Sequence, residues 1–282
     1  MPTSVLLTPL DVRSLCAQLG LRPSKSLGQN FVVDPGVVSK IVRLAGAGDS
    51  VLEVGPGLGS LTLALLAAGH QVTAVEIDPV LARQLPITVA ERLGPAAERL
   101  TVVLADALKL EQLPNGSAPS ALVANLPYNV AVPVLLTYLE RFGSLDKVLV
   151  MVQAEVAQRL VAPPGSRTYG VPSAKLAWWA SSRLVGNVPP KAFFPVPRVD
   201  SALVLAERQA PPSVTVSYRQ VCAVIDAAFA QRRKTLRSAL AGLAGGPVAA
   251  GAVLEAAGVD SSLRGERLTV EDFARIAEVL YV

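Results

Sequence analysis

Along the first two thirds of the chain, short apolar runs alternate with longer segments of helical period. The runs 50–54, 71–75, 100–104, 121–124 and 147–152 read as buried strands, rich in Val, Leu and Ala. Between them, 60–68 and 130–142 read as helices. Asp34-Pro35 and Asp78-Pro79 each place a capping carboxylate before a proline, and they open helices to about residues 44 and 93. Continuous apolar strands separated by helices predict an α/β fold with a parallel, doubly wound sheet. A further strand is expected at 201–205. Beyond it Ala210-Pro211-Pro212 reads as a linker, and the period becomes helical: Val221, Val224, Ile225 and Phe229 follow Tyr218, with later helices over 248–257 and 270–280. The organisation expected is an N-terminal arm (1–35), an α/β domain (36–207) and a small helical domain (208–282).

Composition narrows the class. Of 282 residues, 51% are hydrophobic and 17% charged, which excludes a disordered chain. No apolar run approaches the ~18 residues of a spanning helix. The short stretch Val5-Leu6-Leu7 is followed by Asp11 and Arg13 rather than a signal-peptide core, so a cytoplasmic protein with no membrane partner is expected. Cys16 and Cys222 have no partner motif and read as buried thiols, and His70, the one histidine, reads as a surface turn residue. No metal site is expected. Charge is unevenly spread. Residues 1–43 carry a net +3, 44–158 a net −5, and 159–198 six basic groups with no acid, while the remainder balances. An acidic core flanked by basic segments suits a polyanion approached from one side.

Candidate chemistry gathers at predicted strand ends. Gly55-Pro56-Gly57-Leu58-Gly59 joins a strand to a helix, where glycines permit close approach of backbone to ligand. Its spacing departs from the dinucleotide fingerprint. Glu76 ends the next strand, placed to accept both ribose hydroxyls of an adenosine, and Asp106 follows the third, within reach of an adenine amino group. The loop resembles that of the class I methyltransferases, which bind S-adenosyl-L-methionine. A nicotinamide dehydrogenase is the rival, but no Tyr-x-x-x-Lys pair or other hydride-transfer acid is present. After the fourth strand, Asn125-Leu126-Pro127-Tyr128 matches the Asn-x-Pro-Tyr motif of amino-methyltransferases. Adenine N6 is a poor nucleophile because its lone pair is delocalised. The Asn125 side chain and the main-chain carbonyl of Leu126 or Pro127 can accept both N6 hydrogens and favour the charge that grows on nitrogen. Tyr128 offers a stacking face.

Further blocks follow in order: Lys25 to Phe31, Glu76-Ile77-Asp78, Gln153 to Leu160, Phe193 to Ser201, and Gln231-Arg232-Arg233-Lys234-Thr235-Leu236-Arg237. With these the chain resembles the ribosomal RNA adenine dimethyltransferases over nearly its whole length. The resemblance implies a Rossmann-like methyltransferase sheet and S-adenosyl-L-methionine as cofactor. It also implies N6,N6-dimethylation of two adjacent adenosines near the 3′ end of small-subunit (16S) rRNA, within an immature subunit, during ribosome biogenesis. Asn30 and Val32 would line the cofactor pocket with Gly55 and Gly57; Glu76 would hold the ribose, Asp106 the adenine, and Asn125 would reach cofactor and target. Phe193 would sandwich the target base against Tyr128, and Arg232, Arg233, Lys234 and Arg237, expected on one stretch of helix, would meet phosphates. Trp178 and Trp179 are expected in the core, facing different ways, and the enzyme is expected to be a monomer. A large-subunit adenine methyltransferase of the macrolide-resistance type, or a largely non-catalytic ribosome assembly factor, stands as the alternative.

Overall fold

In a computed structural model, which describes residues 5–21, 29–46, 50–127 and 130–282, every strand predicted from the apolar runs forms. After α1 (Pro9–Gln18) and the short β1 (Phe31–Val32), the chain enters α2 (Pro35–Ala45), β2 (Ser50–Val54), α3 (Ser60–Ala67), β3 (Gln71–Glu76) and α4 (Pro79–Leu93). Asp34 caps α2 by accepting from the N–H groups of Gly36 (2.8 Å) and Val37 (3.1 Å), and Asp78 caps α4 through Val80 (2.8 Å). Both helices carry proline in the first turn, as the dipeptides predict. The helix α3 is buried from Ser60 to Leu66 and is accordingly mostly apolar on every side.

The chain continues through β4 (Leu100–Leu104), β5 (Ala121–Asn125), α5 (Ala131–Arg141), β6 (Lys147–Gln153), α6 (Ala154–Leu160) and α7 (Val171–Ala177), then β7 (Ala180–Val188), β8 (Phe193–Phe194) and β9 (Ser201–Arg208). A seven-stranded sheet runs β4-β3-β2-β5-β6-β9-β7 among the described residues. The pairs β2–β3, β3–β4, β2–β5 and β5–β6 are parallel, and β6–β9 is antiparallel. From β2 the chain steps outward to β3 and β4, then crosses back to β5. The order therefore reverses between β2 and β5, where open α/β sheets form a ligand crevice at their carboxyl edge. A second, two-stranded sheet pairs Phe31 with Phe194 and Val32 with Phe193, and so draws the N-terminal arm to the loop before β9.

The chain divides into two units, Met1–Ala157 with Arg183–Glu207, and Gln158–Ser182 with Arg208–Val282. The hydrophobic pattern starts the helical domain at 208, whereas here Gln158–Ser182 folds with the C-terminal helices α8 (Tyr218–Ala230), α9 (Leu236–Ala239), α10 (Ala241–Ala244), α11 (Pro247–Ala256) and α12 (Val270–Tyr281). Tyr169, Ala174 and Trp178 lie in one apolar cluster with Val221, Ile225, Leu254 and Phe273. The Tyr169 hydroxyl donates to the Leu268 carbonyl at 2.8 Å. Periodicity identifies an apolar face but not the core that face joins.

Four residue-level expectations change. Trp178 and Trp179 follow α7 in a turn, not within a helix, and both rings meet Tyr218, at 5.9 and 4.9 Å between centroids. His70 is buried in the tight turn before β3 rather than exposed. Cys16 is buried, but Cys222 only half so. Arg232, Arg233 and Lys234 occupy the turn after α8, and Arg237 alone stands on a helix, α9. Pro172, by contrast, fits: it sits in the first turn of α7, where its missing N–H costs nothing.

Phe273 is fully buried in the second unit, its ring 6.1 Å from that of Phe229. Phe273→Ala should cost about 3–5 kcal/mol, read as a lower urea midpoint at unchanged slope. Val248→Ala, at a position that is 77% exposed on α11, should cost less than about 0.5 kcal/mol.

Candidate active site

Four parallel strands deliver their carboxyl ends to one cavity of about 270 Å³. At the end of β2 the chain turns through Gly55 and Gly57, both in the left-handed region. A Cβ on Gly57 would lie 2.9 Å from the Phe31 ring, so glycine is what lets the arm close down on the loop. Glu76, at the end of β3, is almost fully buried. Its Oε2 accepts from the Gly57 N–H at 3.1 Å and its Oε1 from the Asp78 N–H at 3.0 Å. Burial pushes this carboxyl's pKa up, and the backbone N–H bonds oppose the rise. Asp78 in turn accepts from the Gln29 side chain at 3.2 Å.

Asp106 follows β4, with Oδ1 accepting from the Leu108 N–H at 3.0 Å. Its loop is held from α5, where Arg141 donates to the carbonyls of Leu108 (3.0 Å) and Leu110 (2.7 Å). The last residue of β5, Asn125, donates from Nδ2 to the Asn30 carbonyl at 2.9 Å, which leaves Oδ1 to accept from a ligand. The Pro127 carbonyl accepts from the Val130 N–H at 3.1 Å and closes the turn into α5. The Leu126 carbonyl accepts no hydrogen bond among the described residues.

Asn30, Val32, Gly55, Gly57, Glu76, Asp106, Asn125 and Pro127 all line this cavity. Leu126 is buried beside it, and Tyr128 lies outside the described residues. Phe193 does not line it: the ring is 2% exposed, on the strand paired with Val32. Its neighbour Phe194 is partly exposed, with the Arg13 guanidinium 5.7 Å from the ring centre. Among the polar lining residues, Glu53 and Ser60 escape a motif-based reading. Glu53 had a signal, a carboxylate inside an apolar strand; Ser60 had none. Among the described lining residues the acidic ones are Glu53, Glu76 and Asp106, with no Lys, Arg or His. Such a wall suits a cationic ligand.

The basic residues expected to meet phosphate belong to the second unit, and all four are exposed. Arg232 donates to the Arg167 carbonyl at 2.5 Å and pairs with Glu266 at 3.4 Å. Arg237 donates to the Pro247 carbonyl at 3.0 Å.

The chain is similar to several known proteins. The ribosomal RNA small subunit methyltransferase A of Kineococcus radiotolerans is 64% identical over 276 residues, covering 97% of this chain and 91% of its own. The protein of that name from Thermobifida fusca is 60% identical, covering 97% and 96%. Among solved structures, a dimethyladenosine transferase from Plasmodium falciparum superposes with a TM-score of 0.73 at 22% identity, covering 87% of this chain and 95% of that one, which shows the shared fold. The 23S rRNA methyltransferase ErmE gives 0.64 at 26% identity, covering 89% and 99%. The model of the family described as ribosomal RNA adenine dimethylase matches residues 20–281, and the chain belongs to that family.

Proposed function

We propose that this enzyme uses S-adenosyl-L-methionine to convert two adjacent adenosines near the 3′ end of 16S rRNA to N6,N6-dimethyladenosine. The observation that carries the reading is 64% identity along 97% of the chain to a small-subunit methyltransferase. Against it, the large-subunit enzyme ErmE reaches 26%, so the small-subunit reading is favoured. We take the natural substrate to be an immature small subunit in the cytoplasm, acted on by a monomer. The distribution of basic residues supports an extended RNA surface, and no helix among the described residues is long and apolar enough to cross a membrane.

The cavity fits the cofactor. An acid-lined wall without a base accommodates a ligand of net positive charge, and the buried Ser60 hydroxyl, which has no partner, is an orphan such a ligand can satisfy. When bound, S-adenosyl-L-methionine supplies a methyl group already activated on sulfonium. The protein therefore needs neither a metal nor a nucleophilic side chain, and its contribution is placement and dipoles. Glu76 has lone pairs beyond the two engaged by Gly57 and Asp78, and these would accept the ribose hydroxyls. Asp106 would accept from the adenine amino group. Asn125 Oδ1 and the Leu126 carbonyl would take the two N6 hydrogens of the target; the Pro127 carbonyl is the weaker candidate, because it already closes a turn. Tyr128 would stack on the base. Phe193 would face it from the opposite side, which requires its ring, 2% exposed here, to be uncovered.

For RNA, Arg233 and Lys234 are the contacts favoured within the basic turn. Arg232 and Arg237 are each engaged with backbone carbonyls of their own unit and would brace that surface.

A methyl-transfer assay with unmethylated small subunits and, in parallel, large-subunit RNA tests the reading. Dimethyladenosine from the small subunit alone is expected. Label on the large-subunit RNA would move the assignment to the other class, and donor binding without transfer to either would favour an assembly factor. Asn125→Ala should slow transfer by about 10²–10³-fold, the loss typical of one preorganised acceptor or donor, and unchanged single-turnover rates would refute its role. Glu76→Gln should weaken donor binding by about 10–100-fold, as expected for a charged hydrogen bond, measured by calorimetry. Replacing Arg233 and Lys234 together by Ala should reduce the slope of log affinity against log salt by about 2; an unchanged slope would show that other residues neutralise the phosphates.

A further inference from the structure

Glu53 is 1% exposed, within β2, and reaches the cavity wall. Its hydrogen-bond partner is the Thr62 hydroxyl, which donates to Oε2 at 2.7 Å. One neutral hydrogen bond is far less than an ionised carboxylate needs when removed from water. In the same cavity lining, the Ser60 hydroxyl is buried and has no partner. Two polar side chains with unmet capacity therefore line the same cavity.

The groups facing Glu53 supply no counter-charge. The helix α3 offers Thr62 and Ser60 and carries no charged residue. The register partner on β3 is Ala74, and the charge which that strand does present is Glu76, of like sign. β5 contributes none. Burial first, and then the repulsion from Glu76, push the Glu53 carboxyl up to about 8 against the opposing Thr62 bond. With no ligand bound, Glu53 is mostly a neutral acid at pH 7.

We propose that Glu53 is a charge-sensing group of the cavity: it ionises against the net positive charge of the methyl donor and takes its proton back when the neutral demethylated product replaces it. The inference rests on the reading of this cavity as the donor's site. The donor carries a sulfonium that the product lacks, so the two ligands differ by one unit of charge at nearly equal shape. A cavity of fixed dipoles would distinguish them weakly, whereas a buried acid that can gain or lose a proton distinguishes them by charge. The exchange is balanced. The proton leaves Glu53 to solvent as donor enters and returns from solvent when product is bound.

The sign of the pH dependence follows. Because ionisation accompanies donor binding, donor affinity should fall as pH drops below about 8, by up to about tenfold per pH unit. Product affinity should change much less over the same range.

The test is calorimetric titration of the full chain with S-adenosylmethionine and with S-adenosylhomocysteine, at pH 7, in buffers of differing ionisation enthalpy. Donor binding should release most of one proton and product binding little. Glu53→Gln keeps an acceptor for Thr62 but cannot ionise. It should abolish the release and weaken the donor about tenfold, with product affinity within about twofold, which also shows that the variant is folded. Equal proton release for both ligands, or release that survives in Glu53→Gln, would overturn the assignment while leaving the donor site intact. Failure of the unsubstituted chain to bind either ligand would instead overturn the donor-site reading, and this inference with it.

Discussion

The carboxylate of Glu76 joins two strand ends that are distant in sequence. By accepting from Gly57 after β2 and from Asp78 after β3, it sets the glycine loop against the start of α4. Asp78 then caps α4 and receives Gln29, so the arm is held from the same point. Phe31 can lie against Gly57 only because that position lacks a side chain. The cavity's floor and its cover thus depend on one buried acid satisfied by backbone N–H groups, an arrangement that tolerates burial because each bond is charge-assisted.

Parallel strand order supplies the rest. Because the chain returns from β4 to β5 beside β2, Asn125 arrives next to the loop that holds Glu76, and the Asn125–Asn30 hydrogen bond ties the proposed target site to the arm. Arg141, one helix later, anchors the Asp106 loop. The helix that begins just after the Asn-Leu-Pro-Tyr segment therefore ends by positioning the expected adenine contact. Chemistry on the two ligands is coupled through secondary structure, with no metal-ligand cluster among the described residues.

The helical unit follows a different logic. Its core gathers Tyr169 and Trp178 from the turns flanking α7 with aromatic side chains of α8 and α12, and its surface turns carry the basic residues. Arg232 spends its guanidinium on Arg167 and Glu266, which joins two turns that sequence distance separates. The neighbouring Arg233 and Lys234 are thereby displayed from a fixed turn, where phosphate contact costs less ordering than from a free chain.

The linear pattern determined the local elements, because apolar runs, Asp-Pro caps and helical spacing are encoded within a few residues of where they act. Hence β2 to β6 and the capped starts of α2 and α4 are legible, as are the glycine loop, Glu76, Asp106 and Asn125, whose residue types and spacing carry their chemistry. Only tertiary structure decided what depends on a second segment. Residues 158–182 join the helical core because Tyr169 and Trp178 find partners there, His70 is buried in the tight turn before β3, and the basic run breaks out of the helix. Phe193 is buried in the core cluster that also holds Val32, Val188 and Leu203. Glu53 reads in sequence as one acid in an apolar strand; its burial and the like charge of Glu76 make it a neutral acid at a cavity wall against the opposing Thr62 bond, since burial and like charge act through space and leave no mark on the sequence that carries them.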